Sequence, residues 1–270
     1  MQERIKEQVV KTVVKSGNGG AVWVPKNWLG EEVIVILPER QKQGMKERVL
    51  QALESHLPDI TAIGIYGSYA RNEQTNESDI DVLVITHEKR LKLSEKEKGL
   101  DIISLPLGAL RIAIRKYPVS YYQMVQETEP LVNASIFHEL KKILPHKNGL
   151  KEYIKETKEH IKSSKEILEL DKLYYSDLKS YSVIYSLILR LKGMFIIQCI
   201  MKKETFSNKK FKQWILQKGI TNQEYKSVYN AYKMVRDETN KKTKIEIVLA
   251  EKMLHILEKE VKHSGDEIGK

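Results

Sequence analysis

The chain has 270 residues, 41% of them hydrophobic and 30% charged, with a formal net charge of +10 at pH 7. These proportions describe a soluble globular protein and exclude a disordered one, and the single cysteine, Cys199, excludes an intrachain disulfide or a cysteine-based zinc site. Residues 1–4 lack the apolar stretch of a signal peptide, and the longest hydrophobic segment, 183–201, is interrupted by Arg190 and Lys192. A cytoplasmic protein without a membrane span is therefore expected.

The first forty residues read as a unit of their own. Residues 9–15 alternate like a strand, 16–20 make a glycine-rich turn, 21–25 form a second strand, 26–30 a short helical turn closed by Gly30, and 32–37 a third strand. The turn lacks a dinucleotide fingerprint and a following long helix, so it reads as a tight hairpin and not as a phosphate loop. The segment resembles the AbrB/SpoVT-type β module: Gly17-Asn18, the run from Val22 to Lys26, Leu29-Gly30 and the run from Val33 to Leu37 occur in that family's order. The resemblance implies a homodimer, because one copy has too few strands to bury a core. It also implies DNA contact in many relatives, but here Arg4, Lys11, Lys15 and Lys26 are offset by Glu3, Glu7, Glu31 and Glu32. Residues 38–44 are a polar linker.

Next comes a helix over 45–57, with Val49, Leu50, Leu53 and Leu57 on one face. Residues 60–66 read as a buried strand running into Tyr66-Gly67-Ser68-Tyr69-Ala70-Arg71. Gly67 allows a sharp turn and close approach to a ligand, and Ser68 adds a hydroxyl; the neighbouring N–H groups suit a phosphate. Ten residues after the Gly-Ser pair stands Asp79-Ile80-Asp81, at the head of an apolar strand over 79–85. Alternation puts both carboxylates on one face, where they repel unless a cation or a proton lies between them. By itself the pair is also compatible with a solvated face; beside the Gly-Ser turn it reads as a hard-cation site. No P-loop pattern occurs anywhere.

This constellation resembles the polymerase-β-like nucleotidyltransferase superfamily, and within it the minimal nucleotidyltransferase branch. The resemblance implies that Gly67, Ser68 and Arg71 bind the nucleotide and that Asp79 and Asp81 hold Mg²⁺ or Mn²⁺. It also implies a third carboxylate, and Asp101, in the strand over 100–105, occupies such a setting, although an acid at the start of a strand is common. The implied substrate is an NTP, ATP first, with a protein, an RNA or a small molecule as the hydroxyl acceptor.

Two helices follow over 107–115 and 120–127, the second capped by Ser120. Beyond residue 150 only helical periodicity remains, over 151–171, 177–203, 207–218, 222–238 and 245–262. The second of these is apolar on most faces, as the centre of a bundle should be. This portion resembles HEPN-type helical domains, without the ribonuclease spacing: position 195, five after Arg190, holds Phe195, and Lys241 stands five after Arg236. After Gly149 there are 25 Lys/Arg against 17 Asp/Glu, which carries +8 of the net charge. The cluster Lys209, Lys210 and Lys212, with Phe206, Phe211 and Trp214 beside it, reads either as a lysine-rich surface over buried aromatics or as a nucleic-acid face. The expected class is α+β: a small N-terminal β module (1–40), a central nucleotidyltransferase α/β domain with a mixed sheet (44–148), and a C-terminal all-α bundle (150–263) with a tail (264–270). The expected activity is nucleotidyl transfer; the alternative is a DNA-binding regulator whose transferase fold only senses nucleotide.

Overall fold

The computed structural model describes residues 11, 13–33, 35, 44–76, 78–91, 99–239 and 244–269, which fall into two units, Met1–Gln43 and Gly44–Lys270. In the first unit, β1 (Val14–Ser16) and β2 (Gly19–Ala21) pair antiparallel about a turn in which Gly17 takes a φ of +56°. The second strand starts and stops earlier than expected, because residues 22–24 have no partner among the described residues and Pro25 offers no N–H. A single 3-10 turn follows at Lys26–Trp28. Of the expected third strand, Glu32, Val33 and Val35 are not in a strand, and the rest lies outside the described residues, as do residues 1–10 and the linker from 38 to 43. No described residue of this unit is buried, and Trp23 and Leu29 are about three-quarters exposed, at 74% and 75%.

The second unit is built on a four-stranded mixed sheet. The expected helix over 45–57 divides into α1 (Met45–Ala52) and a 3-10 segment (Glu54–Asp59). Pro58 and the need to turn into the sheet end the regular helix, leaving Val49 and Leu53 buried and Leu50 and Leu57 exposed. Then come β3 (Ile60–Tyr66), the one-turn α2 (Gly67–Ala70), β4 (Ile80–Thr86), β5 (Leu100–Pro106), α3 (Leu107–Lys116), α4 (Tyr121–Glu127), β6 (Glu129–Val132) and α5 (Ala134–Lys141). The strand order is β5-β4-β3-β6, with β4 and β5 parallel and the other pairs antiparallel.

Both faces of the sheet are covered, which is why its strands are continuous apolar runs. Ile63, Ile65, Val82 and Val84 pack with Val49 and Leu53 of α1. Ala62, Leu83, Ile85 and Leu105 pack with Leu110, Ile114, Val125, Phe137 and Leu140 of α3, α4 and α5. Gly64 makes room for that second layer, since a Cβ there would lie 2.3 Å from Thr128 and 2.8 Å from Phe137. Ser120 does not cap α4: its backbone is already helical and its hydroxyl makes no cap bond.

Five helices complete the unit: α6 (Lys147–Tyr174), α7 (Tyr181–Lys202), α8 (Asn208–Gln217), α9 (Asn222–Arg236) and α10 (Ile247–Gly269). Helix α7 is the centre of the bundle, burying Val183, Ile184, Leu187, Ile188, Leu191 and Met194 among residues of the other four. It is long and apolar enough to cross a membrane, and 56% of its most apolar window is buried inside the protein. Its Cys199 is buried, and that burial pushes the thiol up to about 11. Phe211 and Trp214 are buried against Phe195, beneath exposed Lys209, Lys210 and Lys212, which is the lysine-rich-surface arrangement.

Two expected boundaries differ. Helix α6 runs unbroken across 148–150, and a Cβ at Gly149 would lie 2.5 Å from the Lys116 carbonyl oxygen. Val119 and Tyr122 join the core of the bundle, so sheet and bundle share one body. At the far end, α10 continues through Gly269 and buries Ser264 and Ile268; residues 264–269 are helix and not a tail.

Candidate active site

Strand β3 ends at Tyr66, and Gly67 turns the chain with a φ of +72°. Only glycine serves here, for two separate reasons: the left-handed backbone, and a gap so small that a Cβ would fall 1.8 Å from Asp81 Oδ2. The turn presents its N–H groups to carboxylates. Gly67 N–H donates to Glu127 Oε1 at 3.0 Å, and Ser68 N–H donates to Asp81.

The pairing of the sheet decides which carboxylates meet. Asp81 is the register partner of Tyr66 on β3 and of Asp101 on β5. Register neighbours share a face, so Asp81 and Asp101 stand side by side on adjacent parallel strands, whose backbones lie about 4.8 Å apart across the ladder. Burial, and then the charge of Asp101, push the Asp81 carboxyl up to about 6, against the pull of Arg71 and the Ser68 N–H. Burial, and then the same carboxylates, hold the Tyr66 phenol far above its ordinary range. Asp79 precedes β4, because the ladder begins with Ile80 N–H donating to the Gly99 carbonyl at 3.0 Å. Asp79, Asp81 and Asp101 all line one cleft. Among the described residues no three Asp, Glu, His or Cys side chains converge as a complete metal cage. The crowded all-oxygen pair does fit Mg²⁺, which commonly takes one or two carboxylates and completes its shell with water and phosphates.

Arg71 lines the cleft with its charge engaged on both sides. Its Nε lies 3.0 Å from Glu73 Oε2, its Nη1 lies 2.8 Å from Glu127 Oε2, and the guanidinium sits 5.5 Å from the Phe206 ring centroid. Glu73 in turn accepts from the Asn208 and Lys209 backbone N–H groups and the Asn208 amide at the start of α8. One ionic chain thus runs from the glycine turn to the bundle. Sequence reasoning found neither Glu73 nor Glu127: an acid in a loop and an acid at a helix end carry no local signal.

The cleft between sheet and bundle encloses about 1490 Å³. Its sheet side carries the aspartates and Ser68; its bundle side carries Arg190, Lys192, Lys233 and Arg236. In all, seven acids and six bases line it, so it is neither an acidic nor a basic cleft. In the sequence Lys192 is a break in a hydrophobic segment, and a lysine inside a helix apolar on most faces is the available signal.

Residues 46–188 match the family model described as "Nucleotidyltransferase domain". A 54-residue stretch is 54% identical to "Putative protein adenylyltransferase MJ0126" of Methanocaldococcus jannaschii, over 19% of this chain and 55% of that protein. The chain therefore spans about half the length of the curated relative it matches. A solved nucleotidyltransferase-like protein from Exiguobacterium sibiricum aligns over 83% of this chain and 78% of its own, at 15% identity and a TM-score of 0.36. With more than half of its residues inside the family model, the chain belongs to the nucleotidyltransferase domain family.

Proposed function

We propose that the protein transfers a nucleoside monophosphate, AMP first, from an NTP to a hydroxyl of an acceptor and releases pyrophosphate. The observation that carries this reading is the adjacency of Asp81 and Asp101 against the Gly67 turn, a concentration of negative charge that costs stability unless a cation is bound there. Asp81 and Asp101, with Asp79 beside them, would hold a Mg²⁺ or Mn²⁺ ion, which would neutralise phosphate charge. The Ser68 hydroxyl meets the β- and γ-phosphates at the close approach that Gly67 permits, and Arg71 braces the turn. The acceptor oxygen attacks the α-phosphorus, the bond to the bridging oxygen breaks, and Asp101 takes the hydroxyl proton.

The name of the archaeal relative supports a protein hydroxyl as the first acceptor to test, ahead of RNA or a small molecule. The near balance of acids and bases in the cleft gives no preference to a polycationic or a polyanionic acceptor. That no described residue of the first unit is buried supports an AbrB-like dimerisation module, with DNA contact as its lesser use, and the bundle takes the place of a HEPN-like partner domain. A cytoplasmic homodimer is part of the proposal.

Incubation with α- or γ-labelled ATP, Mg²⁺ and cell extract tests it. Label passed on from the α position alone, lost in chelator and in Asp79→Asn/Asp81→Asn, is the expected result. Nucleotide binding without transfer of any of the four nucleotides would replace the proposal with a nucleotide-sensing DNA-binding regulator.

A further inference from the structure

The two edges of the sheet are built differently. Strand β6 has four residues, carries Pro130 and pairs with a shifted register, which are ordinary protections of an edge. Strand β5, at the other edge, has seven residues in unbroken register with β4 and no proline before Pro106. Its one charged residue is Asp101, which is exposed and lines the cleft. Ile80 N–H donates to the Gly99 carbonyl at 3.0 Å, and the parallel ladder alternates from there. Asp101, Ile103 and Leu105 therefore turn their main-chain groups to β4, whereas Leu100, Ile102 and Ser104 turn theirs outward. Among the described residues no backbone group pairs with that outer side. Leu91 N–H meets Ser104 only through its hydroxyl, at 3.0 Å. An open edge of this length is a template for another strand.

We infer that the outer edge of β5 is the docking surface of the acceptor, and that the acceptor is an extended polypeptide which adds to the sheet as a further strand. This rests on the proposed reaction and names the substrate class for it. A residue paired with Asp101 shares its face of the sheet, the face that Asp81 also occupies. The side chain of that residue stands beside the carboxylate proposed to take the proton. Side chains of neighbouring strands rise in parallel, so a serine or threonine hydroxyl ends level with the Asp101 carboxylate, whereas a tyrosine phenol overshoots it. Main-chain pairing supplies affinity with little regard to sequence, and the pair at Asp101 selects the residue that is modified. RNA has no ladder of alternating amide groups with which to meet such an edge.

The test uses the full chain, α-labelled ATP, Mg²⁺ and a synthetic peptide in which valine alternates with glutamine about one central serine, with lysine at both ends. Two further forms are N-methylated, one on the valines and the other on the serine and glutamines between them. A docked strand turns only one of these sets toward β5, whichever way it runs. Methylation of that set removes the pairing, and methylation of the other spares it. Expected is labelling of the unmethylated peptide, a difference of roughly tenfold or more between the two methylated forms, and weaker labelling when tyrosine replaces the serine. Fluorescence anisotropy of the same peptides in chelator reads docking apart from transfer. Ile102→Pro removes one outward N–H at an edge where proline is tolerated, and should lose the peptide while still melting cooperatively. Equal labelling of the two methylated forms, equal labelling of the serine and tyrosine peptides, or labelling of total RNA in place of the peptide overturns the inference and leaves the reaction standing. Methylation-sensitive binding without transfer to any acceptor in cell extract keeps β5 as a polypeptide-docking edge and overturns the reaction. Neither binding nor transfer overturns both.

Discussion

Gly67 carries two constraints at one atom, the left-handed φ and the missing Cβ against Asp81. Gly67→Ala should therefore cost about 1–3 kcal/mol of stability and at least ~100-fold in kcat/KM, because the carboxylate it pushes is the one proposed to hold the cation. Activity within a factor of about three of the unaltered chain would mean that the turn does not position Asp81. Asp81 itself sets function against stability. Its carboxyl stands at about 6 in the folded chain, above its ordinary value near ~4, so the fold binds that proton more tightly than the unfolded chain does. Stability then declines as pH rises from about 4 through 6, and the full penalty is present above that window. Asp81→Asn should abolish transfer yet melt ~2–4 °C higher than the unaltered chain at pH 8 in chelator, the figure corresponding to about 1 kcal/mol after allowing for partial solvation. The gain should vanish toward pH 4; a scanning-calorimetry series finding Asp81→Asn less stable at pH 8 would remove the repulsion from the account. That Asp79 and Asp81 share one cleft was legible from their spacing beside the Gly-Ser turn, although Asp79 stands before the strand and not in it. Whether Asp101 was its partner was not, because strand pairing, and not spacing along the chain, brings it beside Asp81.

At the level of elements, the sequence signals that held were the strong periods: three apolar strands, and a central helix apolar on most faces. What escaped was short or interrupted. Strand β6 has four residues and contains Pro130, tolerable because it lies at the edge of the sheet. Helix α5, eight residues after a left-handed Asn133, has an unusual start with no side-chain cap. Long helices were found but misbounded: α7 begins at Tyr181, since Asp171 accepts from the Lys179 and Ser180 N–H groups and holds residues 179 and 180 out of the helix. The start of α8 depends on a residue more than a hundred positions away. Glu73→Ala leaves the Asn208 and Lys209 N–H groups and one side of Arg71 without their acceptor, at a cost of about 1–3 kcal/mol. Thermal melting reads this directly, and a variant with an unshifted midpoint would show that Ser207 and water suffice to cap the helix.

For the molecule as a whole, the division at 148–150 expected from the change of periodicity falls inside a continuous helix. A fragment of residues 44–270 should melt in one cooperative transition, whereas residues 44–146 should not fold, having lost the bundle core that Val119 and Tyr122 enter. Near-ultraviolet circular dichroism decides: native-like aromatic signals from the shorter fragment would restore a free-standing catalytic domain. Helix α6 has a further consequence. Its 28 residues span about 42 Å, rooted at Gly149 beneath one wall of the cleft and buried through Leu168 in the core that supports the other. Such a rod acts as a splint between the jaws, fixing the gauge of the mouth before anything enters it.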